Sequence, residues 1–221
     1  MKTLILKKHN ELIILALGML CCSILLLLRV KLTKSIFLIF LVWNLFLAII
    51  PYGITFIMQW QQVLQKRYSK WILGIIWLLF LPNAPYIVSD LQHIMHHQGV
   101  VRIYDTVTIS AFAILSLLFM SFSVKDMIRI LKLKRPTIFL LTLFLLCGFG
   151  IYLGRYLRWN SWDIIQNPTV LMEDIYMRLR YPIYYKHTWL ITVLYAGISL
   201  LFYKLTFFRS KLLRFKHVQD I

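Results

Sequence analysis

Apolar residues run in long blocks along this chain, separated by short polar and basic connections. The blocks cover about residues 11–28, 35–58, 71–90, 105–124, 137–157 and 188–208. Each approaches the roughly 20 residues that carry an α-helix across about 30 Å of hydrocarbon. The pattern predicts an all-α integral membrane protein, a six-helix transmembrane bundle forming one polytopic domain over residues 1–221. No polar linker divides it, and neither an internal repeat nor a low-complexity segment is present.

The third block is interrupted. Leu78 to His97 reads LLFLPNAPYIVSDLQHIMHH, membrane-grade at its start and rich in acid, amide and imidazole at its end. Pro82 and Pro85 each remove a backbone donor and crowd the preceding turn. In lipid the freed carbonyls must find partners, so such a break needs shelter from protein or from a water-filled cavity. The block therefore predicts a broken third helix, interrupted about 17 Å in at 1.5 Å per residue. Ser89 and Gln92 have capping-box spacing and predict a helix restarting at Ser89. Broken helices of this kind mark binding sites in transport proteins.

The other connections carry their own signals. Lys125 to Arg135 alternates basic and apolar residues and predicts a helix lying on the membrane surface. Gly150 and Gly154 have the spacing that lets helix backbones approach closely. Asn167-Pro168 reads as a helix start. Leu171, Ile175 and Leu179 then share a face, and Asp174 precedes Arg178 by four, predicting a short interfacial helix between spans five and six that ends near Tyr181-Pro182. The first block has no small-x-small cleavage site after it and is read as a retained anchor.

Composition changes the picture in two ways. Of 221 residues 60% are hydrophobic and 15% charged, far from the balance of a soluble domain. The net charge of +17 lies in short loops, which fits the positive-inside rule rather than nucleic-acid binding. Assigning Lys and Arg to alternate sides gives sixteen on the face bearing both termini and nine on the other. That count places both termini in the cytoplasm of a plasma-membrane protein. Cys21, Cys22 and Cys147 lie inside apolar blocks, as buried small residues do.

With this topology Asn83, Asp90, His93, Asp105, Arg155, Arg158, Asn160 and Asp163 share the outer face. Polar groups at membrane depth are functional candidates. Asp90 with His93, or Asp105 with a histidine, has the makings of a carboxylate–imidazole pair for acid–base work. The plainer alternative is a helix cap with a neighbouring histidine. Arg155 and Arg158 are placed to clamp a phosphate or carboxylate, unless they snorkel to the interface or bridge to an Asp. Asn83 is placed to satisfy freed carbonyls or to meet a substrate, with Asn160 and Asp163 beside it. Asp90, His93 and His97 have a metal-like spacing, but a His-rich loop produces it easily, and no metal is assigned. Trp159, Trp162, Tyr181, Tyr184, Tyr185 and Trp189 read as an aromatic belt. No GxSxG, Walker loop, HExxH or CxxC occurs.

Two stretches, LPNAPYIVSDLQH at 81–93 and GIYLGRYLRWNSWD at 150–163, resemble the hallmarks of a family of bacterial multi-pass membrane proteins known as a domain of unknown function. The resemblance touches Tyr104-Asp105 and extends from about span two to span six. His96 and His97 are not part of it. It implies a polytopic helical protein and supplies no activity, cofactor or catalytic residue.

The reading favoured by these residues is a membrane enzyme with an outward polar site for an anionic lipid headgroup or lipid-linked phosphate. Asp90, His93 and Asp105 would be catalytic; Asn83, Arg155, Arg158, Asn160 and Asp163 would bind substrate. A small-solute or ion transporter and a non-catalytic accessory subunit are the alternatives. The inner halves of spans three to five read as almost wholly apolar, which disfavours a carrier. Membrane lipids are the expected partners; the cofactor and oligomeric state are left open.

Overall fold

A computed structural model describes residues 2–60, 67–96, 99–159 and 166–219. Its helices are α1 (Lys2–Lys7), α2 (His9–Thr33), α3 (Phe40–Trp60), α4 (Arg67–Phe80), α5 (Asn83–Ser89), α6 (Gly99–Ile130), α7 (Thr137–Tyr156), α8 (Pro168–Arg180) and α9 (Lys186–Gln219). Short 3-10 segments at Phe37–Ile39 and Asp90–His96 join them, and no strand occurs among the described residues. Six segments are long and apolar enough to cross a membrane: His9–Thr33, Phe37–Gln59, Tyr68–Gln92, Gly99–Ile130, Thr137–Tyr156 and Lys186–Phe207. The third is the broken one, made of α4, α5 and the 3-10 turn.

Helix α6 is the axis of the bundle. In its most apolar stretch 72% of residues are buried, against 17 to 39% in the other five spans. Ile109, Phe112, Leu115, Phe119 and Met120 of α6 are enclosed by Leu38, Leu41 and Ala48 near and on α3 and by Ala84 and Ile87 on α5. Helices α2, α3 and α5 pack on α6, and α9 packs most extensively on α7. Lipid tails compete with Leu and Phe on equal terms, so small residues decide where backbones meet. The deciding one is Gly148, not the expected Gly150 and Gly154. A Cβ on Gly148 would stand 2.2 Å from the carbonyl oxygen of Thr192 in α9. Gly150 instead meets the Pro82 ring, and Gly154 has only ordinary contact with Tyr86 and Trp159.

Buried charges fix the register of α2 on α6. Lys8 pairs with Asp126 and Lys125 with Glu11 near one end. At the other end Arg29 donates from Nε to Asp105 Oδ1 at 2.9 Å and from Nη2 to Oδ2 at 3.3 Å. Arg29 and Asp105 are both 1% exposed. These pairs correct three expectations. The first and fourth spans run longer than their apolar blocks, because their terminal charges are neutralised inside the bundle. Lys125 to Arg135 does not form a separate surface helix: α6 continues through Ile130 and then turns. The inner halves of spans three to five, expected to be almost wholly apolar, bury Ser121, Ser123 and Asp126 of α6, and Trp77 Nε1 of α4 donates to Ser123 Oγ at 2.8 Å.

The cleft at the helix break

The break falls at Leu81-Pro82, after fourteen residues of α4. Helix α5 restarts at once, with Pro82 as its N-cap and Pro85 in its first turn, where a missing N–H costs nothing. It does not wait for Ser89. That residue is the last of α5, and its hydroxyl donates to Tyr86 O at 2.6 Å. Leu81 O, which Pro85 cannot serve, accepts from Ala84 N at 3.2 Å, and two other carbonyls at the break accept from side chains. Asn83 Nδ2 donates to Phe80 O at 2.9 Å, and Ser116 Oγ of α6 donates to Ala84 O at 2.8 Å. An amide and a hydroxyl thus add to the backbone bonding around the break.

Asp90, one residue past α5, is 1% exposed. Arg155 of α7 donates from Nη1 to its Oδ1 at 3.0 Å and Asn44 of α3 from Nδ2 to its Oδ2 at 2.9 Å. Arg155 Nη2 also donates to Ser89 O at 3.1 Å, and the guanidinium lies over the Tyr86 ring. Tyr195 of α9 reaches the same cluster, close to Ser89, Arg155 and Asp90. One carboxylate and one guanidinium therefore tie together α3, the end of α5 and α7. Sequence spacing brought Asp90 and Arg155 to one face but gave no hint of Asn44 or Tyr195, each far away along the chain.

The remaining candidates divide. Asp105 is paired with Arg29 and belongs to the α2–α6 contact. Arg158 is exposed and adopts a left-handed backbone (φ 62°) just past α7, which turns the chain so that Trp159 N donates to Leu153 O at 3.0 Å. Asn160, Asp163, Trp162 and His97 lie outside the described residues, as does the side chain of His93. No group of three or more potential metal ligands forms among the described residues.

Beside this cluster opens a cleft of about 780 Å³. Pro82, Asn83 and Tyr86 form one wall, Asn44 and Trp43 of α3 a second, and Thr142 to Gly154 of α7 a third. Helix α8 covers one side with Leu171, Ile175 and Leu179, the face expected from its sequence. Asn167 caps that helix, Pro168 opens it, and Arg178 donates to Asp174 Oδ1 at 2.8 Å. Trp159 Nε1 donates to Asp174 Oδ2 at 2.8 Å and fastens the helix to the end of α7. The Arg178 guanidinium lies over the Tyr152 and Tyr185 rings, a second fastening.

The cleft is lined mostly by apolar residues, and two of its lining residues carry a buried polar atom with no partner. Trp189 Nε1 and Thr192 Oγ1 of α9 are buried without a hydrogen bond, and both residues line the cleft. Other hydroxyls in these helices bond the carbonyl four residues back: Thr33 to Arg29, Thr106 to Arg102, Thr108 to Tyr104 and Ser121 to Leu117. Thr192 does not. An unpaired buried donor costs about 1–3 kcal/mol, so each such group asks for an explanation.

Residues 43–202 match the family described as "Protein of unknown function (DUF1361)". The chain belongs to that family. The matched stretch holds the whole cleft, from Trp43 to Thr192, and the Asp90–Arg155 pair. It leaves out α2 with Lys8 and Arg29. No curated protein and no solved structure matches the chain.

Proposed function

We propose that this multi-pass membrane protein binds a membrane lipid in the cleft at the helix break. An apolar chain would lie between α5 and α7 under the apolar face of α8. A hydrogen-bond acceptor near the head of that chain, such as an ester carbonyl or a phosphate oxygen, would meet Trp189 Nε1 and Thr192 Oγ1. Asn44, Asn83 and Trp43 would border the polar end. The volume falls in the range of small-molecule sites, about 300–1,000 Å³. The observation that carries the reading is a mostly apolar cleft with two lining residues, Trp189 and Thr192, whose buried donors have no partner.

Asp90 and Arg155 serve this site as its frame. The carboxylate accepts a hydrogen bond on each oxygen from a different helix. A lipid-binding role uses the pair as it stands, and the acid–base role drawn from Asp90 and His93 is the alternative.

The test is to purify the protein in mild detergent and identify retained lipid by mass spectrometry. Wild type should retain lipid at near-equimolar amounts. Ile175→Trp fills the cleft from α8 and should abolish retention without changing the thermal unfolding midpoint. Equal retention by both proteins would refute the proposal.

A further inference from the structure

We propose a second lipid site, selective for anionic lipid, towards the other end of the bundle from the helix break. A second cleft of about 440 Å³ lies between α4 and α7, at the end of the bundle that carries the Lys8–Asp126 pair. Its wall is apolar, formed by Trp71, Gly74 and Ile75 of α4 with Met127 and Leu131 at the end of α6 and Phe139 of α7. It meets the first cleft at Leu78, Thr142 and Leu146, which line both.

Charge at its mouth names the occupant. Lys70 lines the cleft. Lys132, Lys134 and Arg135 are exposed on the turn between its Leu131 and Phe139 walls. The two acids described at this end, Glu11 and Asp126, are held by Lys125 and Lys8 inside the bundle. What the mouth presents is therefore cationic, above an apolar slot, with Trp71 65% exposed beside it. A headgroup bearing net negative charge satisfies the mouth and its chain fills the slot. Each Lys or Arg near a membrane surface contributes roughly fivefold to the binding of anionic lipid.

The slot has a built-in probe. A Cβ on Gly74 would meet nothing within 4 Å, so a large side chain there enters open space. Native mass spectrometry of the full chain, titrated with phosphatidylglycerol or phosphatidylcholine, reads the site. Phosphatidylglycerol should bind at least tenfold more tightly, and inorganic phosphate should not compete. Lys132→Ala/Lys134→Ala/Arg135→Ala should weaken phosphatidylglycerol about a hundredfold, these three cations each contributing as above. Gly74→Trp should abolish the selective site while leaving lipid in the first cleft retained. Equal binding of the two lipids, competition by free phosphate, or selectivity untouched by the triple substitution would overturn the proposal. The triple substitution lies on an exposed turn, so it stands as a test even if Gly74→Trp does not fold.

Discussion

Arg29 closes on Asp105 with two hydrogen bonds, and the pair lies as far along α2 and α6 from the Lys8–Asp126 pair as one helix allows on the other. Positions 8 to 29 and positions 105 to 126 are the same number of residues apart, on antiparallel helices. At 1.5 Å per residue the two ion pairs are about 31 Å apart, close to the thickness of a hydrocarbon core. Each of the four charges is buried. The pairs set the register of α2 on α6 from both sides.

Removing one partner should therefore cost far more than removing both. Arg29→Leu leaves a buried carboxylate at Asp105 and should destabilise by about 3–5 kcal/mol. Arg29→Leu with Asp105→Leu should recover most of that loss. Unfolding of the four proteins of this double-mutant cycle in detergent checks it. Additive losses would show that the two side chains act independently.

Arg155 should not tolerate lysine. Its guanidinium donates to Asp90 and to Ser89 O while lying over Tyr86, and an ammonium cannot keep all three contacts. Arg155→Lys should destabilise by about 1–3 kcal/mol, the cost of leaving a buried group underbonded. Asn44→Ala should lose a similar amount in wild type and less in the Arg155→Lys background, because both groups hold the same carboxylate. Thermal midpoints of the two single variants and the double variant measure the coupling.

Gly148→Ala should separate α7 from α9, since its Cβ would collide with the Thr192 carbonyl. Overpacking of this kind costs about 1–3 kcal/mol. Because Thr192 also lines the cleft, the same variant should lose lipid. Gly53→Ala, where the added carbon meets nothing, should be neutral or slightly stabilising in the same assays.

Asn83→Ala should expose the cost of the break itself. It strands Phe80 O in an apolar setting and should destabilise by about 1–3 kcal/mol. Ser116→Ala, which strands Ala84 O only in part because that carbonyl lies at a helix start, should cost less. Hydrogen exchange at α5 should rise more in the first variant than in the second.

The helices were legible because an apolar run of membrane length has few alternatives, and α8 was legible because Asn167-Pro168 and the Leu171–Ile175–Leu179 spacing are local signals. The ion pairs were not. Lys8 and Arg29 read as loop cations in any charge count, and their partners lie 118 and 76 residues away along the chain. Capping-box spacing at Ser89 misled because Pro82 had already supplied a helix start with its φ in place. The two free donors were invisible for a different reason. A threonine in a membrane helix ordinarily bonds its own backbone, and of the three α9 hydroxyls without a partner, on Thr188, Thr192 and Ser199, only that of Thr192 belongs to a cleft-lining residue.

The most direct measurement is an experimental density map of the protein in a lipid nanodisc. The account predicts continuous density for an apolar chain between α5 and α7, with a polar atom within about 3.2 Å of Thr192 Oγ1 and Trp189 Nε1. A closed cleft, with both donors bonded to neighbouring protein groups and no chain between the helices, would contradict it.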